Sequence, residues 1–222
     1  MAFEITEVDC GESKIKIVQL FYTLREQHFP KLPTLPHMDS ETTTYFAQRL
    51  KVTKTFIEYG SGGSTILAAR MNISFIISVE SDEAWMRRVQ RKFLQIKSTS
   101  QINFIYANVG RVGPWGTPLE KIDGQLHYAN TPWASITIDS SQILVLIDGR
   151  YRITCLLVAL LRCPEGAHLL FDDYYDRESY QVVESILKPS LRVGRGAVFI
   201  KPNKVDEIAI NSLIHSFKYD SD

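Results

Sequence analysis

The sequence predicts an α/β protein built on a doubly wound, mostly parallel sheet. Short apolar runs of strand length alternate along the chain with segments whose apolar residues recur at helical spacing. A glycine-rich turn follows the first of these runs, and polar residues follow the later ones. Alternation of strands and helices is typical of sheets that carry helices on both faces.

The glycine-rich turn lies between an apolar run at 55–59 and a helix-compatible segment that continues through 69. Glycine suits positions where the backbone takes positive φ or approaches a ligand closely. A helix that begins directly after such a turn offers free amide groups and the positive end of its dipole. The next apolar run, 75–79, ends in Glu80, 20 residues after Gly60. A carboxylate at that distance suits a ribose diol, so the two features together predict a nucleotide-type binding turn.

The elements around this turn follow from capping residues and apolar spacing. They are a short helix within residues 15–28, a helix capped by Asp39 or Ser40 that ends at Leu50, a helix capped by Ser81, and a strand over 102–106. The clearest strand is 143–147, a continuous apolar run typical of the centre of a parallel sheet. The remaining elements are a buried helix over 152–162, a strand over 168–171, a helix around 180–187, a hairpin of 191–193 with 197–200, and a last helix over 205–217. The antiparallel hairpin completes a Rossmann-like sheet.

Residues 109–139 have the least regular sequence of the chain, with glycines and prolines among scattered aromatic residues. Irregular connections of this length usually serve a function. Two interpretations stay open. The segment forms a wall over a pocket, or an aromatic cluster of Trp115, Tyr128 and Trp133 anchors a long loop.

Length and composition fit a single soluble domain of 222 residues. We divide it into an N-terminal extension over 1–39, a core over 40–201 and a C-terminal helix over 202–222. The 25 basic and 25 acidic residues balance, which favours neither nucleic acid nor a membrane surface as a partner. The three cysteines have no metal-ligand spacing, and no signal-peptide pattern or membrane-length apolar run is found, which predicts a cytoplasmic protein.

Candidate functional residues collect at the predicted strand ends. In open α/β sheets, ligands bind at the carboxyl ends of the strands. The residues there are Glu58 and Gly60, Glu80, Asn108, Asp148, and Asp172 with Asp173. A polar residue at the end of each of these strands indicates one binding site.

The glycine turn resembles the binding motif of the class I S-adenosylmethionine-dependent methyltransferases. Residues 58–64 are similar to that family's motif of an acidic residue followed by alternating glycines, with Ser64 in place of the third glycine. The resemblance covers about residues 40–201 and implies S-adenosylmethionine as the cofactor. It implies a ribose contact for Glu80 and a position near the adenine amine for Asn108. The implied cofactor-binding residues are Glu58, Gly60, Ser61, Gly62, Gly63, Ser64, Glu80, Ser81 and Asn108.

Two further stretches, 147–149 and 170–174, resemble the small-molecule O-methyltransferases, in which the ends of strands four and five supply metal ligands. The resemblance implies Mg²⁺ held by Asp148, Asp172 and Asp173, because carboxylate oxygens suit a hard cation.

Two arginines complicate this metal hypothesis. Arg150 and Arg152 follow Asp148 at the start of a predicted helix, where positive charge is unfavourable. Their position predicts an anionic partner, for which two alternatives stay open. The partner is either the aspartates themselves, in a salt-bridge network without metal, or a carboxylate or phosphate of the acceptor. Asp148 and Arg150 are accordingly the candidate catalytic residues.

The leading functional hypothesis is a methyltransferase that acts on a small-molecule or sugar-like hydroxyl. The alternative from another class is a methyltransferase-like binding or scaffold protein without transfer activity. An NAD(P)-dependent oxidoreductase is the third interpretation, but its G-x-G-x-x-G fingerprint requires glycine where the chain has Thr65. Side chains at 64 and 65 crowd a pyrophosphate, which S-adenosylmethionine lacks.

Overall fold

The computed structural model describes residues 32–121, 125–135, 142–217 and 219–221, and the fold is given for these residues. The strands are β1 Thr55–Tyr59, β2 Phe75–Glu80, β3 Gln101–Tyr106, β4 Ile143–Ile147, β5 His168–Phe171, β6 Leu191–Val193 and β7 Gly196–Ile200. They form one sheet in the order β3-β2-β1-β4-β5-β7-β6. The first five strands pair in parallel, β7 is antiparallel to β5, and β6 is antiparallel to β7. This confirms the predicted sheet and its C-terminal hairpin.

The α-helices are α1 Ser40–Leu50, α2 Gly63–Arg70, α3 Glu83–Leu94, α4 Gln125–Asn130, α5 Arg152–Arg162 and α6 Glu207–Ser216. Short 3-10 helices cover Pro114–Gly116, Thr131–Ser135, Tyr174–Asp176 and Glu178–Ser185. In the described part of the chain, none of the helices has both the length and the apolar composition that a bilayer crossing needs.

The central strand β4 shows why helices cover both faces of the sheet. All of its residues are buried. Ile143, Val145 and Ile147 belong to the apolar cluster that includes α5 and α6. Leu144 and Leu146 belong to the cluster that includes α1 and α2. Because successive side chains of a strand point to opposite faces, a continuous apolar run requires a core on each side.

Helix starts agree with the prediction at α1 and differ at α3. α1 has the predicted cap, Asp39. The cap of α3 is Asp82 rather than Ser81, since Asp82 Oδ1 accepts the amide hydrogens of Ala84 and Trp85 at 2.9 and 3.2 Å. The prediction for Ser81 was therefore wrong by one residue. A carboxylate here also complements the positive end of the helix dipole better than a hydroxyl does.

The helix predicted around 180–187 is a 3-10 helix, Glu178–Ser185. Its buried residues Tyr180 and Val183 are three apart, which matches the three residues per turn of this helix. The short helix predicted within residues 15–28 lies outside the described residues, as does most of the predicted extension over 1–39.

Candidate functional site

The parallel strands end together at one edge of the sheet. Tyr59 pairs with Val79 and with Ile147, and Ile147 pairs with Phe171. The residues at these strand ends therefore lie side by side. They are Gly60 after β1, Glu80 at the end of β2, Asp148 after β4 and Asp172 after β5.

Gly60 is required by the protein's own backbone. Its φ of +90° is a conformation that side chains rarely adopt. A Cβ at this position would lie 2.8 Å from the Cα atom of Gly149 and 3.0 Å from the carbonyl oxygen of Asp148. The neighbouring strand end, rather than a ligand, therefore excludes a side chain here.

The two glycines at the start of α2 have different surroundings. Gly62 is buried, yet a Cβ built on it would meet no heavy atom within 4 Å. A Cβ at Gly63 would overlap the carbonyl group of Leu35. Gly63 therefore allows the segment before α1 to pack on the turn, whereas Gly62 leaves open space beside the start of α2.

Glu58 lies beneath the turn and is fully buried. Ser64 Oγ donates a hydrogen bond to Glu58 Oε2 at 2.6 Å, and Thr65 Oγ1 donates to Oε1. Thr65 Oγ1 also accepts the amide hydrogen of Gly62 at 2.9 Å. Burial raises the pKa of Glu58 to about 7, although the bonds from Ser64 and Thr65 oppose the rise. The predicted cofactor residues Glu58 and Ser64 thus hold the turn in shape from below.

Glu80 connects the glycine turn to the start of α3. Its Oε2 accepts hydrogen bonds from the amide and the hydroxyl of Ser61, both at 3.0 Å. Its Oε1 accepts the amide hydrogens of Ser81 and Asp82 at 2.7 and 2.9 Å. Burial raises the pKa of Glu80, and these hydrogen bonds oppose the rise. The turn and the acidic strand end, predicted as one unit, are in direct contact.

The segment Pro114–Gly116 lies over this contact. Ser81 Oγ donates a hydrogen bond to the carbonyl oxygen of Gly116 at 3.0 Å. A Cβ at Gly116 would lie 2.5 Å from Ser81 Oγ and 3.3 Å from Glu80 Oε1. Trp115 is exposed, and its ring centroid is 6.1 Å from that of His37. This part of the irregular segment therefore borders the candidate site as a wall.

The later part of the irregular segment is an aromatic anchor. Tyr128 is fully buried and packs its ring 5.7 Å from that of Tyr59. Trp133 Nε1 donates a hydrogen bond to Tyr59 Oη at 2.9 Å. The two interpretations of the segment apply to different parts of it.

Asn108 lies after β3 at the same edge of the sheet and is exposed. Its Oδ1 accepts the amide hydrogen of Gly110 at 2.9 Å, which closes a local turn. The structure thus places Asn108 at the strand-end edge of the sheet and gives one of its atoms a structural partner.

The three predicted metal ligands lie together, with donor oxygens of Asp148, Asp172 and Asp173 within 4.8 Å of one another. Arg152, which is 4% exposed, lies against them. Its Nη2 donates to Asp148 Oδ1 and its Nη1 to Asp173 Oδ2, both at 3.1 Å.

A second arginine, Arg195, completes this cluster from the turn between β6 and β7. Its Nη2 donates to Asp172 Oδ2 at 3.1 Å, and its Nε lies 2.8 Å from Asp173 Oδ1. Sequence reasoning missed Arg195. The one available signal was its place between Gly194 and Gly196 in the predicted hairpin.

These contacts do not fit the Mg²⁺ that the resemblance implies. Mg²⁺ requires oxygen ligands at about 2.0–2.1 Å in near-octahedral geometry. The oxygens of the three aspartates already accept hydrogen bonds from two cations, which would repel a third. The contacts match the alternative of a salt-bridge network, but with Arg152 and Arg195 as its cations.

Asp148 and Arg150, the candidate catalytic residues, differ in their surroundings. Burial raises the pKa of Asp148 to about 7; Arg152 opposes the rise, and the neighbouring Asp172 and Asp173 add to it. The Asp148 side chain is nevertheless 26% exposed, so part of it is in contact with solvent. Arg150 Nη1 donates instead to Thr117 Oγ1 at 3.4 Å.

A small cleft opens beside Arg150 and Thr117. It has a volume of about 250 Å³ and is lined by residues 118–121, Tyr151, Tyr219 and Ser221. Tyr151 directly follows Arg150 and has a positive φ of 53°. The cleft is therefore next to the end of β4 that carries both candidate catalytic residues.

Neither a protein-family model nor a curated protein matches the sequence. The chain is 28% identical to a methyltransferase-like protein of known structure from Silicibacter pomeroyi, with 86% of this chain and 100% of that chain covered and a TM-score of 0.74. It is 14% identical to a protein from Staphylococcus aureus that is assigned by name to the caffeoyl-CoA O-methyltransferases, with 84% and 91% of the two chains covered and a TM-score of 0.51. These likenesses show the fold.

Proposed function

Because the chain has the class I methyltransferase-like fold, we propose that it is an S-adenosylmethionine-dependent methyltransferase. Its acceptor in this proposal is a small-molecule or sugar-like hydroxyl compound that carries an anionic group. The observation that carries the proposal is the open space beside buried Gly62, within reach of the turn that Glu80 holds. We refer to the glycine turn with Glu80 as the donor half of the site, and to the ends of β4 and β5 as the acceptor half.

The donor half has the groups that the cofactor needs. Backbone amides at the start of α2 and the space beside Gly62 suit the amino and carboxylate groups of the methionyl part. Glu80 suits the ribose diol, which would take the place of the Ser61 hydroxyl. The Thr65 side chain bonds to Glu58, and the turn can therefore accommodate a ligand that has no pyrophosphate. The pyrophosphate of a dinucleotide requires glycine at this position.

The acceptor half has a base and an anion-binding group. When bound, the cofactor supplies an electrophilic methyl group. Asp148 accepts the proton of the acceptor hydroxyl, for which a pKa of about 7 is suitable at neutral pH. The guanidinium of Arg150 binds a carboxylate or phosphate of the acceptor in the adjacent cleft.

Calorimetry with S-adenosylhomocysteine tests the proposal directly on the wild type and on Gly62→Ala. We expect the wild type to bind and Gly62→Ala to bind at least about tenfold more weakly, because the methyl group enters the ligand's space. Thermal melting of the unliganded Gly62→Ala should match that of the wild type, since its Cβ meets no protein atom within 4 Å. Gly63→Ala is the contrasting variant, and its melting temperature should fall because of the Leu35 carbonyl.

Two outcomes would overturn the proposal. One is a wild type that binds NAD(P) and neither S-adenosylmethionine nor S-adenosylhomocysteine. The other is a folded Gly62→Ala variant with unchanged affinity for S-adenosylhomocysteine, which would mean that the space beside Gly62 is not a ligand site.

A second candidate function is a methyltransferase-like binding or scaffold protein without transfer activity. The observation that favours it is that both carboxylate oxygens of Glu80 already have partners within the protein. They accept hydrogen bonds from Ser61, Ser81 and Asp82. The segment Pro114–Gly116 also bonds to Ser81 beside it. This alternative requires that S-adenosylhomocysteine neither binds nor raises the melting temperature, so the same measurement separates the two.

A further inference from the structure

We propose that Arg152 and Arg195 permanently replace a divalent cation among Asp148, Asp172 and Asp173, and that Arg195 is the residue that keeps the cation out. The proposal concerns the side chains at the ends of β4 and β5 and does not depend on the proposed function. The proposal is based on the contacts that the two guanidiniums make with the oxygens of these three aspartates, which we call the acidic trio.

Arg152 cannot leave the cluster without leaving several groups unpaired. Beyond its bonds to Asp148 Oδ1 and Asp173 Oδ2, it donates to the carbonyl oxygens of Gly149, Asp172 and Asp148 at 3.1, 2.8 and 3.3 Å. All five N–H groups of a guanidinium therefore have an acceptor. Since Arg152 is also 4% exposed, it is a fixed part of the strand ends.

Arg195 contacts the oxygens of Asp172 and Asp173 that do not bond to Arg152. Together the two arginines place a guanidinium nitrogen within 3.3 Å of five of the six carboxylate oxygens. Asp172 is 1% exposed on its side chain, and Arg195 is 27% exposed. Arg195 therefore covers Asp172, whereas Asp148 and Asp173 are 26% and 20% exposed on their side chains.

Arg195 is held in this position by the segment before α1. Its Nη2 donates to the carbonyl oxygen of His37 at 2.9 Å, and its amide donates to Asp39 Oδ2 at 3.2 Å. The same segment packs its Leu35 carbonyl on Gly63 of the glycine turn. Arg195 is thus a positioning residue that connects the acidic trio to a segment in contact with the donor half.

The net charge of the cluster determines whether a cation can bind when Arg195 is removed. Three carboxylates and two guanidiniums leave a formal charge of −1, and loss of Arg195 leaves −2 with a path to solvent. Both oxygens of Asp172 and Oδ1 of Asp173 then lose their guanidinium partner and become available to a hard cation, while Arg152 keeps its bonds to Asp148 and Asp173. The substitution should therefore create a metal site that the wild type lacks.

The test is a titration of Mn²⁺ followed by the electron paramagnetic resonance signal of the free ion. We expect no specific binding by the wild type and binding at least about tenfold tighter by Arg195→Ala. Arg195→Lys keeps the charge and should restore the exclusion of Mn²⁺. Arg192→Ala is the matched control, because Arg192 lies in the same hairpin and stacks on Tyr175 at 4.3 Å. It should behave as the wild type does.

Specific Mn²⁺ binding by the wild type would overturn the proposal without any variant. Absence of binding by a folded Arg195→Ala would also overturn it, as would retained binding in the double variant Arg195→Ala with Asp172→Asn. Arg195→Gln serves as the second variant if Arg195→Ala does not fold. Because Mn²⁺ binding is measured without cofactor or acceptor, failure of the methyltransferase proposal would leave this result unaffected.

Discussion

At the ends of β1 and β2, Glu58 and Glu80 accept hydrogen bonds from hydroxyls and backbone amides. At the ends of β4 and β5, the aspartates accept them from the guanidiniums of Arg152 and Arg195. A neutral hydroxyl such as that of Ser61 is exchanged for a ligand hydroxyl at little cost, because one neutral donor replaces another. Removing one partner of a buried ion pair costs about 3–5 kcal/mol. The donor half is therefore adjustable, whereas the acceptor half is fixed before any ligand arrives.

The largest effect should come from Asp148→Asn, which keeps an oxygen for Arg152 but removes the proposed base. We expect turnover to fall about 10²- to 10⁴-fold, the usual contribution of a positioned proton acceptor. Affinity for S-adenosylhomocysteine should stay nearly unchanged. Steady-state kinetics and calorimetry on the same preparation check both. An equal loss of cofactor affinity would show that the two halves are not separate.

Glu80→Ala should act on the donor half alone. A ribose diol that loses a charged acceptor forfeits about 1.5–3 kcal/mol, or roughly 10- to 150-fold in affinity for S-adenosylhomocysteine. Glu83→Ala is the control, since Glu83 is a nearby carboxylate that pairs with Arg87 on the surface. If calorimetry gives the same affinity for both variants, Glu80 has only a structural role.

Arg150→Ala should raise the KM of an anionic acceptor and lower kcat/KM about 10- to 100-fold, because a charge-assisted hydrogen bond is lost. Cofactor affinity and melting temperature should stay as in the wild type, since Arg150 is half-buried and its Nη1 bonds to the Thr117 hydroxyl at 3.4 Å. A neutral analogue of the acceptor serves as the comparison in the kinetic measurement. A lower melting temperature with unchanged kinetics would assign Arg150 to the fold alone.

The last effect concerns stability rather than binding or turnover, and is a pH dependence that comes from Glu58. Its pKa rises from 4.5 to about 7 in the folded protein, so the folded state binds this proton more tightly than the unfolded state does in that window. The free energy of unfolding should therefore fall as the pH rises from 5 to 7, by about 2 kcal/mol relative to Glu58→Gln. Urea denaturation of both proteins across this range measures the difference. A constant difference would mean that Glu58 has an ordinary pKa.

Much of the fold and of the donor half was predictable because the deciding contacts are local. Glu58 meets Ser64 and Thr65 within seven residues, and Ser61 meets Glu80 across 19 residues of one strand–helix–strand unit. The predicted N-cap of α3 was wrong by one residue, because Asp82 rather than Ser81 caps the helix. The sequence left open which of the two arginines pairs with the aspartates; Arg152 does, and Arg150 donates to Thr117 Oγ1, because adjacency in sequence does not fix the direction in which a side chain leaves a helix start.

The pattern of residues along the chain was enough to predict the parallel strand–helix units, the two-sided burial of β4 and the pairing of a glycine turn with Glu80. Only the tertiary structure decided that Gly60 is required by Gly149 and that Gly62 alone of the turn's glycines borders open space. It also decided that Arg195 neutralises the trio, since Arg195 reaches His37 across 158 residues. Periodicity and turn chemistry act between neighbours along the chain. The cation that reaches a carboxylate depends instead on how distant segments pack around the ends of the strands.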